Sequence, residues 1–217
     1  MAETSNQIVA FKTTPDVDIV VGEAGSAYES PLERFTRAII FVKPELIIIY
    51  DRLEAKEPSI YEYWLHAINK INVGDQHNIQ VKNGNIVCDV DFLTPDVLSF
   101  RQTNQYDPNP RPRIKLREWH LTATTPEKSN RMEFVTLYRP HRVSDNIVSS
   151  AKLLSIPGGY ILKASQSGKK LTALLPIDDT AMLEAEDLKT TGEIKLRLGS
   201  SDNQPSQILE IREGEFD

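Results

Sequence analysis

Residues 38–50 read AIIFVKPELIIIY, and this stretch decides the fold class. Two runs of β-branched and aromatic residues, 38–42 and 46–50, flank the tripeptide Lys43-Pro44-Glu45. Runs of this kind favour strands, and a proline fixes φ at a value that suits a turn. The pattern therefore predicts a hairpin of two buried strands.

The next segment along the chain, residues 59–68, also has the alternation of a strand. Side chains alternate between the two faces of a strand, so Tyr61 and Tyr63 share one face while Trp64 and His66 share the other. Because both faces carry aromatic residues, we expect this strand to be covered on both sides. The same reasoning predicts that Trp119, which begins a later alternating segment, is a buried core aromatic like the other three.

Turn signals separate many further strands. Asn83-Gly84 is typical of a type I′ hairpin turn, and Ser167-Gly168 predicts a second hairpin. Residues 193–198 and 207–212 predict two more strands, and only residues 179–188 suggest a helical turn or two. Short strands with a turn about every 8–12 residues indicate a sandwich or barrel. We predict an all-β fold, a large antiparallel β-sandwich of the supersandwich type with little helix, in a single domain over residues 1–217.

Composition restricts the class of protein. The chain has 217 residues and a formal net charge of −6, and this acidic balance argues against general nucleic-acid binding. The most apolar stretch, 38–50, is too short and too interrupted to span a membrane. The first residues, MAETSN, lack the features of a signal peptide and leave the location open. The single cysteine, Cys88, lies in a predicted strand, where a small buried hydrophobe is the simplest interpretation.

Several short segments carry information through their order and spacing. They are VVGEA (20–24), LERFTR (32–37), FVKPE (41–45), YDRLEA (50–55), YWLHA (63–67), WHLTATTPEK (119–128) and FVTLYRP (134–140). In this order they resemble heparinase II/III-like polysaccharide lyases, and the resemblance covers roughly Ile8 to Arg142.

The resemblance implies an architecture in which an N-terminal α/α toroid and a C-terminal β-sandwich region form a cleft for acidic polysaccharide. It also implies β-elimination beside a uronic acid, in proteins that are typically periplasmic or secreted. The toroid is missing here, and the family's catalytic residues and metal cluster would lie upstream of Ile8. Gly22-Glu23 stands where many relatives have Gly-Asp. We therefore expect no catalytic residue, no metal ligand and no cofactor in this chain, and the toroid as its partner.

An alternating basic segment is the best candidate for contact with an anionic glycan. Its side chains share one face of an extended segment, and arginine binds carboxylate or sulfate with two hydrogen bonds. The alternative is a charged edge strand that prevents aggregation. The residues are Arg111, Arg113, Lys115 and Arg117.

Two histidines are the other candidate substrate-binding residues. His66 follows Trp64 on a predicted strand, and His120 should point away from Trp119 and Leu121. Each is either a structural histidine or a group that faces the glycan. The aromatic residues expected in the core have an alternative role as rings that stack on sugars; they are Tyr61, Tyr63, Trp64 and Trp119. The four histidines include no closely spaced pair, so the sequence predicts no metal site.

Three functions remain open. The first is a structural module that lines the substrate cleft of a polysaccharide lyase, and it predicts an exposed apolar surface where the toroid would pack. The second is a stand-alone carbohydrate-binding module for acidic glycans, with an aromatic or basic groove. The third is an independent enzyme, which would need His66 or His120 within hydrogen-bond reach of a tyrosine.

Overall fold

The computed structural model describes residues 6–28, 31–74, 78–106, 118–200, 206–212 and 214–216. These residues form eighteen strands and one short 3-10 turn, Gly25–Tyr28, with no α-helix among them. The strands in the first half are β1 (Gln7–Thr13), β2 (Val17–Glu23), β3 (Leu32–Val42), β4 (Leu46–Ser59), β5 (Glu62–Ala67), β6 (Asn72–Val73), β7 (Asn78–Asn83), β8 (Ile86–Thr94) and β9 (Ser99–Thr103). Those in the second half are β10 (Trp119–Thr124), β11 (Ser129–Arg142), β12 (Ser149–Ile156), β13 (Gly159–Gln166), β14 (Lys169–Pro176), β15 (Met182–Ala185), β16 (Leu188–Thr191), β17 (Ile194–Ser200) and β18 (Gln207–Ile211).

An eight-stranded antiparallel sheet forms the middle layer of the molecule, in the order β1-β2-β3-β4-β11-β8-β7-β6. The predicted hairpin is its β3–β4 pair, with Val42 opposite Leu46 and Ala38 opposite Tyr50. Strand β11 continues the sheet beside β4. Alternate residues of these strands point to opposite faces, and both faces are apolar.

A five-stranded sheet, β12-β13-β14-β17-β18, packs on one face of the middle sheet. Ile48 of β4 and Leu137 of β11 meet Leu162 and Leu196 of the smaller sheet in one buried core. The two layers are also joined by the Tyr50 hydroxyl, which donates a 2.9 Å hydrogen bond to the carbonyl oxygen of Pro176. The main core therefore lies between these two sheets, as a sandwich requires.

A three-stranded sheet, β5-β10-β9, covers part of the opposite face. Phe134 of β11 contributes to this second core, while its neighbours Val135 and Leu137 belong to the first. Tyr63 and Leu121 close the second core from the three-stranded layer. The all-β sandwich prediction is confirmed, and the sandwich has three layers instead of two.

The segment predicted to be helical is a β-hairpin. Strands β15 and β16 pair, with a turn at Glu186-Asp187 in which Glu186 has a φ of 56°. Leu183 and Leu188 pack on Leu174, on the outer face of the five-stranded sheet. Burial of the two leucines outweighs the local helix propensity, because two short strands can place both side chains on one surface.

The turns largely follow the sequence signals. Ser167 and Gly168 both have positive φ, at 49° and 85°, as a type I′ turn requires. In the β7–β8 hairpin Asn83 pairs with Ile86, so the central residues are Gly84-Asn85 instead of Asn83-Gly84. Only Gly84 of these has positive φ, which is typical of type II′.

Part of the middle sheet has an apolar face that no described layer covers. Cross-strand pairing places Val20 beside Ile39 and Ile39 beside Ile49 on the side that carries the second core. These residues belong to neither core and are only half-buried. We call this surface the uncovered strip; it consists of Phe11, Val20, Ile39, Phe41, Ile47 and Ile49.

No helix that could cross a lipid bilayer is present among the described residues.

We predict that neighbouring isoleucines of β4 differ strongly in their contribution to stability. Ile48 is fully buried between two layers, whereas Ile47 lies on the uncovered strip. Ile48→Ala should lower the free energy of unfolding by about 2–5 kcal/mol. Ile47→Ala is the matched control and should cost about 1 kcal/mol. Urea denaturation of both variants tests this, and equal losses would contradict the assignment of Ile47 to an uncovered face of the middle sheet.

Candidate functional site

The predicted basic segment lies outside the described residues, so its glycan-facing role stays a prediction. In the sequence it joins Tyr106 to Glu118. The residues concerned are Arg111, Arg113, Lys115 and Arg117.

The two predicted histidines lie together on the outer face of the three-stranded sheet. His66 of β5 pairs directly with His120 of β10, and their ring centroids are 5.8 Å apart. Trp64 stacks near both, with centroids at 6.2 Å from His66 and 5.6 Å from His120. His120 is only 6% exposed because Trp64, His66 and Tyr106 surround it. We call this group the imidazole cluster.

Glu118 ties the imidazole cluster together at its rim. Its Oε1 lies 3.4 Å from Nδ1 of His66, and it accepts a hydrogen bond from the hydroxyl of Tyr106. That hydrogen bond, with the nearby His66, lowers the pKa of Glu118, and the same bond raises the pKa of Tyr106. The tyrosine hydroxyl is thus engaged by a carboxylate rather than by an imidazole.

The imidazole cluster corrects one expectation from the sequence. Trp64 is 51% exposed, while Tyr61 and Tyr63 are buried as predicted and Trp119 is half-buried. Among the described residues, strand β5 is therefore covered by a sheet on one face only, because the three-stranded sheet is an outer layer. Within the described ranges no group of three or more His, Cys, Asp or Glu side chains could hold a metal ion.

A cleft opens on the other side of Trp64, along the free edge of β5. Its volume is about 500 Å³. One wall is Trp64, Tyr63 and Glu62, and the opposite wall includes Tyr28 and Phe35. The walls are mainly aromatic, and the charged groups among the described lining residues are Arg37, Asp51 and Glu62.

An ion pair forms the polar floor of the cleft. Nε and Nη2 of Arg37 donate to the two carboxylate oxygens of Asp51, at 2.6 and 2.7 Å. The guanidinium also lies 5.4 Å from the ring centroids of Phe35 and Tyr63. Burial alone would lower the pKa of Arg37, but Asp51 raises it above the ordinary value, so the group stays charged. Burial raises the pKa of Asp51, and the ion pair offsets part of that effect.

Two tyrosine hydroxyls meet behind this ion pair. The hydroxyls of Tyr63 and Tyr138 are 2.6 Å apart, and Oγ1 of Thr136 lies 3.3 Å from the hydroxyl of Tyr63. Burial raises the pKa of both phenols. Both therefore stay protonated at neutral pH, and the pair stabilises the floor without offering a base.

Glu23 shapes the far wall of the cleft. Its carboxylate accepts hydrogen bonds from the backbone N–H groups of Gly25 and Phe35 and from the hydroxyl of Thr36, at 2.7, 3.2 and 2.8 Å. This fold-back needs a glycine, because a Cβ on Gly25 would lie 2.8 Å from Oε1 of Glu23 and 3.1 Å from Cα of Arg34. The following turn carries Tyr28 against Phe35, with ring centroids 5.7 Å apart.

Sequence reasoning missed the cleft because its parts come from distant segments. Nothing in the sequence pattern places Trp64 beside Arg37 and Asp51, which lie on other strands.

Cys88 is half-buried, and burial raises the pKa of its thiol to about 11, which makes it a poor nucleophile.

Comparison with known proteins identifies the fold. The chain resembles the heparan sulfate lyase HepC from Pedobacter heparinus, with 14% identity and a TM-score of 0.58 over 82% of this chain and 29% of that one. Two heparinase III structures also match at 14% identity, one with a TM-score of 0.60 over 79% of this chain and 27% of the other, one with 0.57 over 77% and 27%. Neither a family model nor a curated protein matches the sequence.

This likeness confirms the resemblance at the level of fold: the chain has a heparinase-like β-sandwich. It spans less than a third of the length of the heparinase structures that it matches. Most of each matched protein therefore has no counterpart in these 217 residues.

We predict that Arg37 stabilises the floor of the cleft by an amount that depends on pH. Arg37→Met leaves the Asp51 side chain, which is 2% exposed, without its counter-charge. The loss at pH 7 should be about 3 kcal/mol, near the lower limit for a buried pair because Arg37 is partly exposed. Without Arg37 the folded pKa of Asp51 rises further. The difference from the wild type should therefore shrink as pH falls through that pKa, since a protonated Asp51 needs no partner.

Thermal and urea unfolding between pH 4 and pH 8 measure this dependence. The double variant Arg37→Met with Asp51→Asn is the control, because it removes both charges and should regain most of the stability. A loss that does not change with pH would mean that packing, and not the ion pair, holds the floor.

Proposed function

We propose that this chain is the β-sandwich module of a larger heparinase-like polysaccharide lyase. In this role it packs against a catalytic domain and lines one side of the cleft for acidic polysaccharide. The catalytic groups then come from the partner, an α/α toroid.

The observation that carries the proposal is the position of the cleft beside the uncovered strip. Arg37 and Asp51 form one cross-strand pair of the β3–β4 hairpin, and Ile39 and Ile49 form the next pair on the same face. A domain that packed on the uncovered strip would therefore also form a further wall of the cleft. Contiguous apolar surface on a sheet face is typical of an interface.

A second observation that supports the proposal concerns the tyrosine–histidine hydrogen bond that independent catalysis would need. Proton abstraction next to a carboxylate needs a base within reach and positive charge for the developing enolate. The phenols of Tyr63 and Tyr138 bond to each other, and the Tyr106 hydroxyl bonds to Glu118. None of these hydroxyls donates to His66 or His120, which favours a lining role over independent catalysis.

A second candidate is the stand-alone carbohydrate-binding module for acidic glycans. The exposed Trp64 favours it, because an aromatic ring held in place beside polar groups is suited to stack on a sugar ring. In that case binding should need no partner, and the uncovered strip should be irrelevant to it.

The experiment is a titration of the purified chain with heparan sulfate, heparin, hyaluronan and a polyuronate, while absorbance near 235 nm reports unsaturated product. We expect no product, and binding that is weak and weakens further with salt because it depends on charge. Product above background that is lost in His66→Ala or His120→Ala would instead make this chain an enzyme.

A parallel experiment tests the uncovered strip. It compares the binding of an apolar fluorescent dye to the native chain and to the double variant Ile39→Lys with Ile49→Lys. We expect the native chain to bind the dye and the double variant to bind much less, with both remaining folded. Tight, salt-sensitive glycan binding by native chain and double variant alike would favour the stand-alone module.

A further inference from the structure

The cleft beside Trp64 has a charge balance unlike that expected of an anion site. Among its described lining residues a single guanidinium, Arg37, stands against two carboxylates, Asp51 and Glu62. Asp51 already binds Arg37 through both carboxylate oxygens. An added sulfate or carboxylate would therefore face net negative charge at short range, in a partly desolvated space where repulsion is poorly screened.

The aromatic wall is held in place before any ligand arrives. The indole of Trp64 lies nearly parallel to the rings of His66 and His120, at interplanar angles of 25° and 27°. Its Nε1–H donates a 3.1 Å hydrogen bond to Oε2 of Glu62. An ordered ring loses little entropy when a flat ligand stacks on it. The surface of Trp64 that the imidazoles leave free contributes to the cleft.

The polar groups of the cleft suit hydroxyl groups. Nη1 of Arg37 has no acceptor among the described residues, and the arginine side chain is 39% exposed. Glu62 offers carboxylate oxygens on the rim. A sugar hydroxyl both donates and accepts, so it can bond to each of these groups without adding charge. The volume of about 500 Å³ is within the range of small-ligand sites.

From this geometry we infer that the Trp64–Arg37 cleft is a subsite for an uncharged pyranose residue, with the sugar ring on Trp64 and its hydroxyls on Arg37 and Glu62. The inference takes the class of ligand, a polysaccharide, from the proposed function. It assigns the uncharged and the acidic parts of that ligand to different places on the protein. The uncharged residues of the polysaccharide enter this cleft, and its acidic groups bind elsewhere on the protein.

The test uses the variant Trp119→Phe, in which Trp64 is the only tryptophan and its fluorescence reports on the cleft. The probes are cellohexaose, a hexamer of unsulfated uronate and a sulfated heparin hexasaccharide. We expect cellohexaose to change the fluorescence and to bind at least about tenfold more tightly than either acidic hexamer, a difference of ~1.4 kcal/mol.

Two further variants show where the probe binds. Trp64→Ala should weaken cellohexaose binding, measured by calorimetry, by about tenfold or more. Glu62→Gln keeps an oxygen for the indole N–H but removes one negative charge. Because Glu62 is assigned a sugar hydroxyl, this variant should weaken cellohexaose binding while it strengthens binding of the uronate hexamer, so the preference for the neutral probe should shrink.

The outcomes separate this inference from the proposed function. If the uronate or heparin hexamer changes the Trp64 fluorescence at concentrations as low as cellohexaose does, or if Trp64→Ala has no effect on cellohexaose binding, the neutral subsite is wrong. Salt-sensitive binding of acidic polysaccharide that persists in Trp64→Ala would then leave the proposed function standing. Cellohexaose binding that depends on Trp64, in a chain that binds no acidic polysaccharide, would support the subsite and overturn the acidic ligand of the proposed function.

Discussion

The register of β3, β4 and β11 is the constraint on which the rest of the structure depends. Side chains alternate with a period of two, so these strands send Ile48 and Leu137 into one core and Asp51 and Phe134 towards the other side. A slip of one residue would exchange the two faces. It would bury Asp51 and Arg37 under the five-stranded sheet, at a desolvation cost that their ion pair offsets only in part. The two-sided burial thus specifies the pairing, and the pairing fixes the position of the cleft.

The cleft exists because the second face of the middle sheet is only partly covered. The three-stranded layer ends at β5, which pairs with β10 on one side and has no described neighbour on the other. Beyond that edge the face is first polar, at Arg37 and Asp51, and then apolar, along the uncovered strip. The proposed interface rests on this combination of a sheet edge without a described neighbour, an ion pair and an apolar surface.

Trp64, on the edge strand β5, lies between two different environments. On its outer side the indole meets the imidazole cluster, where Glu118 connects His66 to Tyr106. On its inner side it meets the cleft, where the floor is held by buried hydrogen bonds between Tyr63, Tyr138 and Thr136. Groups on both sides restrict the ring, so a ligand that stacks on it encounters a prepared surface. In the proposed sugar subsite, binding would therefore depend on the stability of the second core.

The sequence by itself determined the class of fold, because that information is local. The run at 38–50, the alternation in 59–68 and the glycine turns at Gly84 and Gly168 specify strands and hairpins through side-chain period and backbone conformation. The family resemblance was also available from the sequence, because it rests on short local segments. The hairpin of β15 and β16 was missed because burial of Leu183 and Leu188 against Leu174 is not visible in local propensity. Only the tertiary structure decided that there are three layers, that Trp64 faces solvent and that Arg37 and Asp51 lie beside it. The physical reason is that those facts depend on which sheet packs on which face. Alternation along a strand defines its two faces but does not specify the sheet that packs on each of them.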